Sequence, residues 1–261
     1  MKKPRPRKRF GQNFLNDNSV IDRIVSAINP ASSDHIVEIG PGRGAITESL
    51  LRSGCKLDLI EIDRDLVALL RQKIGNEVPI YSEDVLKFDF NKLGTPRPIR
   101  VVGNLPYNIS TPLLFKLFQY GELFQDLTFM LQLEVVDRLT AMPGGSNYGR
   151  LSIMSQYYCD AEKLFNVSRE AFSPSPKVES AIVRLSPKKE RAIAVTNIHL
   201  LEQLLISAFS KRRKTIRNAL GSYLSAEELE QLGLNIKLRP ENLSPDDYAR
   251  CANYLDKRAK L

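Results

Sequence analysis

Between His35 and Gly75 the chain holds two strand–helix units back to back, and no other feature limits its fold so strongly. "HIVEIG" reads as a buried strand, and "GAITESLLRSG" follows it at helical spacing as far as Gly54. "KLDLIEI" and "DRDLVALLRQKIG" repeat that order, with Asp63 predicted to cap the second helix and Gly75 to end it. Parallel neighbours need a crossover, usually a helix, so repeated strand–helix order points to parallel strands. Further strands are predicted in "VPIYSE", "IRVVGN", "LTFMLQL" and "AIVRLS". A helix in "TPLLFKLFQYG" takes Thr111 as cap and Pro112 at its first position and ends at Gly121. Another, "DNSVIDRIVSAI", precedes the alternation and stops at Asn29-Pro30. The class is α/β: a mostly parallel sheet with helices on both faces.

The alternation ends after Pro187. "SPKKERA" is a charged linker, and the remainder reads as helix only: "IHLLEQLLISAF", then a capping box from Ser225 to Glu228, then another from Ser244 to Asp247 with Pro245 inside it. Three segments result: a flexible basic arm over 1–10, an α/β domain over 11–189, and a small all-helical domain over 190–261. "MKKPRPRKRF" is not followed by the apolar core of a signal peptide, and no run approaches the ~20 apolar residues of a membrane span.

Composition narrows the chemistry. A net charge of +8 points to an anionic partner, nucleic acid before an acidic membrane surface. The three cysteines, Cys55, Cys159 and Cys251, are scattered without a CxxC, which argues against disulfides and zinc and fits a reducing, cytoplasmic setting. With only His35 and His199 present, a His-based metal centre or a Ser-His-Asp triad is disfavoured, and His35 reads as packing.

"VEIGPGRGAIT" sets Gly40, Gly42 and Gly44 between strand and helix, where glycine permits a sharp turn and a ligand's close approach. Any strand-to-helix turn uses glycine, so the turn alone does not discriminate. Glu61 ends the next strand about 20 residues on, where an acid can hold the hydroxyls of a ribose. Asp84 follows the third strand and could accept from an adenine amino group. Acids on successive strand ends fit an adenosine-bearing ligand, and the lack of GxxxxGK[ST] argues against a nucleoside triphosphate.

"GNLPY" follows the fourth strand. With S-adenosylmethionine as the ligand and an exocyclic amino group as acceptor, the difficulty is a nitrogen whose lone pair is delocalised into its ring. Two acceptors on its N–H groups favour the pyramidal, positively charged form that develops in attack. Asn104 offers a side-chain carbonyl and Leu105 a backbone carbonyl, which Pro106 biases outward by holding Leu105 extended. Tyr107 offers a ring face for a flipped base, worth ~1–3 kcal/mol. A proline turn beside a core tyrosine is the alternative. In "FSPSPKV", Phe172 either closes the other side of the base or belongs to the core. "SKRRKTIRNAL" gathers Lys211, Arg212, Arg213, Lys214 and Arg217 on a helical segment, either a solvated face or a set of phosphate contacts.

In order along the chain, "FGQNFL", "VEIGPGRGAIT", "IEIDRDL", "GNLPYNIS", "YGRLSI", "FSPSPKVESAIVRL" and "AFSKRRKTIRNAL" resemble the ribosomal RNA adenine N6,N6-dimethyltransferases, most closely their bacterial small-subunit (16S) branch. The resemblance runs from about Arg9 onward. It implies a Rossmann-like, S-adenosylmethionine-dependent methyltransferase domain with a helical RNA-binding domain, adding two methyl groups to each of two neighbouring adenosines in a hairpin loop near the rRNA 3′ end. It implies donor contacts at Asn13, Leu15, Gly40, Gly42, Glu61, Ile62, Asp84, Val85 and Asn104, with "GQNFL" as a lid. It implies a catalytic loop of Asn104, Leu105, Pro106 and Tyr107, and a base-packing Phe172. Candidate RNA contacts are Lys8, Arg9, Arg138, Arg150, Lys177, Lys211, Arg212, Arg213, Lys214 and Arg217. The implied partner is 16S rRNA within a pre-30S particle, bound by a monomer that uses no metal and acts in small-subunit biogenesis. Ile46 and Glu179 depart from the family's frequent leucine and aspartate, outside the implied chemistry. The related 23S dimethyltransferases share the donor site and an Asn-x-Pro-aromatic loop, while "SKRRKTIRNAL" and "RPENLS" favour the 16S branch. A non-catalytic RNA-binding assembly factor and a DNA adenine methyltransferase are the other readings.

Overall fold

The structure, a computed structural model, describes residues 6–7, 10–211 and 213–260. Contacts group the chain into two compact units, Met1–Val136 with Asp160–Pro187, and Asp137–Cys159 with Lys188–Leu261. Among the described residues no helix is long and apolar enough to cross a membrane.

In the first unit, β1 (Phe14–Leu15) and α1 (Asn18–Ile28) lead into β2 (His35–Ile39), α2 (Thr47–Arg52), β3 (Lys56–Ile60), α3 (Arg64–Ile74), β4 (Ile80–Tyr81), β5 (Ile99–Asn104), α4 (Ser110–Phe118) and β6 (Phe124–Gln132). After α5 (Leu133–Leu139) and α6 (Arg150–Tyr158) come β7 (Cys159–Val167), β8 (Phe172–Ser173) and β9 (Ser180–Pro187). Seven strands form one sheet in the order β4-β3-β2-β5-β6-β9-β7, while β1 pairs with β8 alone. The strands from β4 to β6 are parallel, and β9 runs antiparallel to β6. Every residue of β2 is buried. Successive side chains alternate between faces, so both faces of the sheet are covered, as the near-continuous apolar runs require. Gly103 allows β5 its place beside β2, because a Cβ there would collide with the Ile39 carbonyl.

The expected caps hold at Asp63, whose carboxylate accepts from the Asp65 N–H, and at Gly75. His35 is buried as expected, bonded through its ring nitrogens to Asp58 (2.5 Å) and the Pro96 carbonyl (3.0 Å). Other local expectations are corrected. "VPIYSE" contributes only the two residues of β4. Thr111 does not cap α4: the turn closed by the Ile109 N–H on the Pro106 carbonyl already feeds the helix, which starts at Ser110 and ends at Phe118. β7 carries the polar sequence "CDAEKLFNV", whose alternation is too weak to announce a strand.

The helical unit combines α6 with α7 (Ile198–Ser210), α8 (Ile216–Ala219), α9 (Ala226–Gln231) and α10 (Pro245–Arg258). Both capping boxes form. This unit includes Asp137–Cys159, which a boundary at 189/190 assigns to the α/β segment. The reason is burial: Tyr148 is fully buried, its hydroxyl donates to the Leu243 carbonyl (3.0 Å), and the Gly144 N–H donates to the Glu241 carbonyl (2.6 Å). The basic run is not one helical segment either. α7 stops at Ser210, and the Ile216 N–H donates to the Leu238 carbonyl (2.8 Å), so the helical ladder is interrupted between them.

Candidate active site

Parallel strands end at a common edge, and side chains beyond those ends converge there. β2 turns at Gly40, whose N–H donates to the Ile60 carbonyl (2.9 Å), with φ of 66° at Gly40 and 59° at Gly42. The torsion at Gly42 favours glycine, and a Cβ there would press to 3.3 Å from the Phe14 ring. Beside it, beyond β3, Glu61 is only 5% exposed. Its carboxylate accepts from the Gly42 N–H (3.3 Å) and the Asp63 N–H (2.9 Å). Burial raises its pKa despite those two bonds. Beyond β4, the Asp84 carboxylate accepts from the Leu86 N–H (2.9 Å).

β5 delivers the Asn104–Tyr107 loop. The Leu105 N–H donates to the Met130 carbonyl (3.2 Å), and the Tyr107 carbonyl accepts from the Ser110 hydroxyl (3.1 Å). Tyr107 and Ser180 pair their hydroxyls at 2.8 Å, and burial raises the tyrosine pKa. A strap formed by Gly11–Leu15 completes the site. Gln12 donates to Asp63 (3.0 Å), and Arg7 pairs with Asp63 (3.1 Å) and with Asp65. The Asn104 amide nitrogen donates to the Asn13 carbonyl (3.1 Å). A carbonyl oxygen can only accept, so the amide faces it with its nitrogen, the donor. Its oxygen, an acceptor, is the end the strap does not engage. The Arg43 guanidinium lies 4.1 Å from the centre of the Phe14 ring.

These elements enclose a cleft of about 280 Å³. Asn13, Leu15, Gly40, Gly42, Glu61, Ile62, Asp84, Val85, Asn104, Leu105, Pro106 and Tyr107 all line it. Phe172 does not. It is 4% exposed, paired with Leu15 in the β1–β8 ladder and packed into the apolar core, the second of the two places its sequence allows. Of the expected RNA contacts, Lys177 is exposed in the first unit, and Arg138, Arg150, Lys211, Arg213, Lys214 and Arg217 are exposed in the helical unit. Lys8, Arg9 and Arg212 lie outside the described residues. Within the arm, Arg7 is held by the acids at the start of α3.

Four acids, Glu38, Glu61, Glu83 and Asp84, line the cleft against one described basic side chain, Arg43. Even with Glu38 protonated, the other three acids outnumber Arg43, a balance that repels a polyphosphate and attracts a ligand carrying positive charge. Glycines that admit a close approach, a buried acid for ribose hydroxyls and a second acid for an adenine edge fit S-adenosylmethionine, whose sulfonium and ammonium are cationic. Sequence reasoning missed Glu38. Its carboxylate accepts from the Thr47 hydroxyl (2.6 Å), and burial, with a smaller contribution from Glu61, pushes its pKa up to about 7. The available signal was one acid within an otherwise apolar strand.

Comparison with known proteins agrees with this geometry. The family model for ribosomal RNA adenine dimethylases matches residues 4–257. The chain is 54% identical over 257 residues to the ribosomal RNA small subunit methyltransferase A of Marinobacter nauticus, covering 98% of this chain and 93% of that protein. It is 50% identical to the protein of the same description from Coxiella burnetii, covering 98% and 100%. A dimethyladenosine transferase from Plasmodium falciparum superposes with a TM-score of 0.79 at 29% identity, covering 94% of this chain and 98% of that one. The 23S rRNA methyltransferase ErmE does so with a TM-score of 0.72 at 25% identity, covering 94% and 100%. With the family model spanning nearly the whole sequence and relatives at half identity along their full length, the chain belongs to the ribosomal RNA adenine dimethylase family.

Proposed function

We propose that this chain dimethylates N6 of two neighbouring adenosines in a hairpin loop near the 3′ end of small-subunit rRNA, acting as a cytoplasmic monomer on a precursor of the small subunit. The observation that carries the reading is the meeting of an acid-lined, glycine-walled cleft with the Asn104–Tyr107 loop at one sheet edge. S-adenosylmethionine, when bound, supplies an electrophilic methyl group and leaves as S-adenosylhomocysteine. Glu61 would hold its ribose, Asp84 with Val85 and Ile62 its adenine, and the Gly40–Gly42 turn with Asn13 and Leu15 its remaining length.

The acceptor nitrogen needs its lone pair localised. With its amide nitrogen on the Asn13 carbonyl, Asn104 would turn its oxygen to one N–H of the adenine, and the Leu105 carbonyl would accept from the other. Both acceptors bind the nitrogen more strongly as it becomes positive, which is differential stabilisation of the transition state. The Tyr107 ring would stack on the base. The proton released from the alkylated nitrogen is acidic enough to pass to water, so the chain needs no dedicated base. Arg138, Arg150, Lys177 and the exposed basic residues from Lys211 to Arg217 would hold phosphates, which position RNA without reading its sequence.

The likeness to ErmE motivates the competing large-subunit reading, against which stand relatives at 50–54% identity described as small-subunit enzymes. Labelled methyl transfer to undermethylated small and large subunits, with the modified nucleotides mapped, separates the two. Dimethyladenosine confined to the small-subunit hairpin is expected. Label only in large-subunit RNA overturns the proposal, and donor binding without transfer to either favours a non-catalytic assembly factor.

A further inference from the structure

We propose that Ser180 is a positioning residue for the acceptor base, acting through the ring of Tyr107. The inference rests on the reading above, in which Tyr107 stacks on that base. Ser180 opens β9 and is fully buried, and its hydroxyl meets the Tyr107 hydroxyl at 2.8 Å. Sheet topology is what brings the two together. β9 runs antiparallel to β6, so its first residue arrives at the edge where the parallel strands finish: Asn104 is opposite Met130, and Gln132 is opposite Ser180. The approach to that residue is anchored as well. The Glu179 carbonyl accepts from the Leu133 N–H (2.9 Å), and the Glu179 carboxylate accepts from the Arg169 N–H (3.0 Å).

Tyr107 itself sits in the turn between β5 and α4, where its backbone is tied by the Ser110 hydroxyl. A tyrosine in a turn, tethered only at its backbone, can swing about two side-chain torsions, and a stacking surface is useful only with its plane held. The contact with Ser180 fixes the far end of the ring from a rigid strand, before any base arrives. A buried hydroxyl without a partner is costly, so each of the two groups holds the other in place.

The test is a double-mutant cycle of Ser180→Ala and Tyr107→Phe, which removes either hydroxyl without removing the ring. Methyl transfer to undermethylated small subunits is measured as kcat and KM, with kcat normalised to donor-binding sites counted by calorimetry so that unfolded protein is discounted. Each single variant is expected to lose about 3- to 10-fold in kcat, comparable to one buried hydrogen bond, with donor affinity unchanged. The double variant should be no slower than the slower single one. Losses that multiply in the double variant, or a Ser180→Ala protein with full turnover beside a slow Tyr107→Phe protein, would overturn the proposal. Full turnover of Tyr107→Ala would instead sink the stacking reading on which it stands.

Discussion

Replacing Glu38 with glutamine should stabilise the protein at pH 8 and leave it unchanged near pH 4. Glu38 lines the cleft and is 2% exposed. Burial first, and the nearby Glu61 charge second, raise its pKa from 4.5 to about 7, against the lowering effect of the Thr47 hydroxyl. The folded protein therefore keeps a proton on Glu38 up to about pH 7, whereas the unfolded chain releases it near 4.5. Between those values the folded state binds more protons, so the stabilisation from this group is complete below 4.5 and is lost as pH rises through 7. At about 1.4 kcal/mol per pH unit, the interval from 4.5 to about 7 corresponds to about 3 kcal/mol. Glutamine has nearly the shape of the protonated acid, can still accept from Thr47 and does not titrate. Urea unfolding of both proteins at pH 4, 6 and 8 gives the difference directly, provided the m-values match. The variant should gain on the wild type as pH rises, by about 3 kcal/mol at pH 8. Parallel curves across the range would refute the buried, proton-retaining carboxyl.

Asn104→Ala should lower kcat by about 100-fold or more while donor affinity stays within a few-fold, since the interaction it removes strengthens in the transition state; a defect confined to binding contradicts that role. Glu61→Ala should weaken S-adenosylmethionine binding by about 10-fold or more in calorimetry, because both ribose hydroxyls lose their acceptor, and unchanged affinity removes the ribose contact. Changing Lys211, Arg213, Lys214 and Arg217 to glutamine should reduce the slope of log K against log salt for RNA binding by about 3, at roughly 0.7 per single-strand phosphate contact. An unaltered slope makes the run a solvated face.

Most of the cleft was legible because its parts are local. A glycine turn, an acid after each of two strands and an Asn-Leu-Pro-Tyr break each announce themselves within a few residues, and sheet class alone carries all of them to one edge. Phe172 stayed open between the base and the core, because its burial depends on pairing with Leu15, far away in sequence. Glu38 was passed over because its strand is apolar enough to read as packing, and the raised pKa follows from burial and from the Glu61 charge, which only folding supplies.

By itself the sequence determined the parallel α/β class, the helix caps at Asp63, Ser225 and Ser244, the residues that turn at the strand ends, and the family. Those features are written in periodicity, capping chemistry and torsion, which act over a few residues. Only the tertiary structure decided that Asp137–Cys159 belongs with the helical unit, that the strap's Asn13 carbonyl orients the Asn104 amide, and that antiparallel β9 sets Ser180 against Tyr107. Such contacts join residues separated by tens of positions, and which partners meet depends on strand order and on what must be buried, neither of which a local pattern contains.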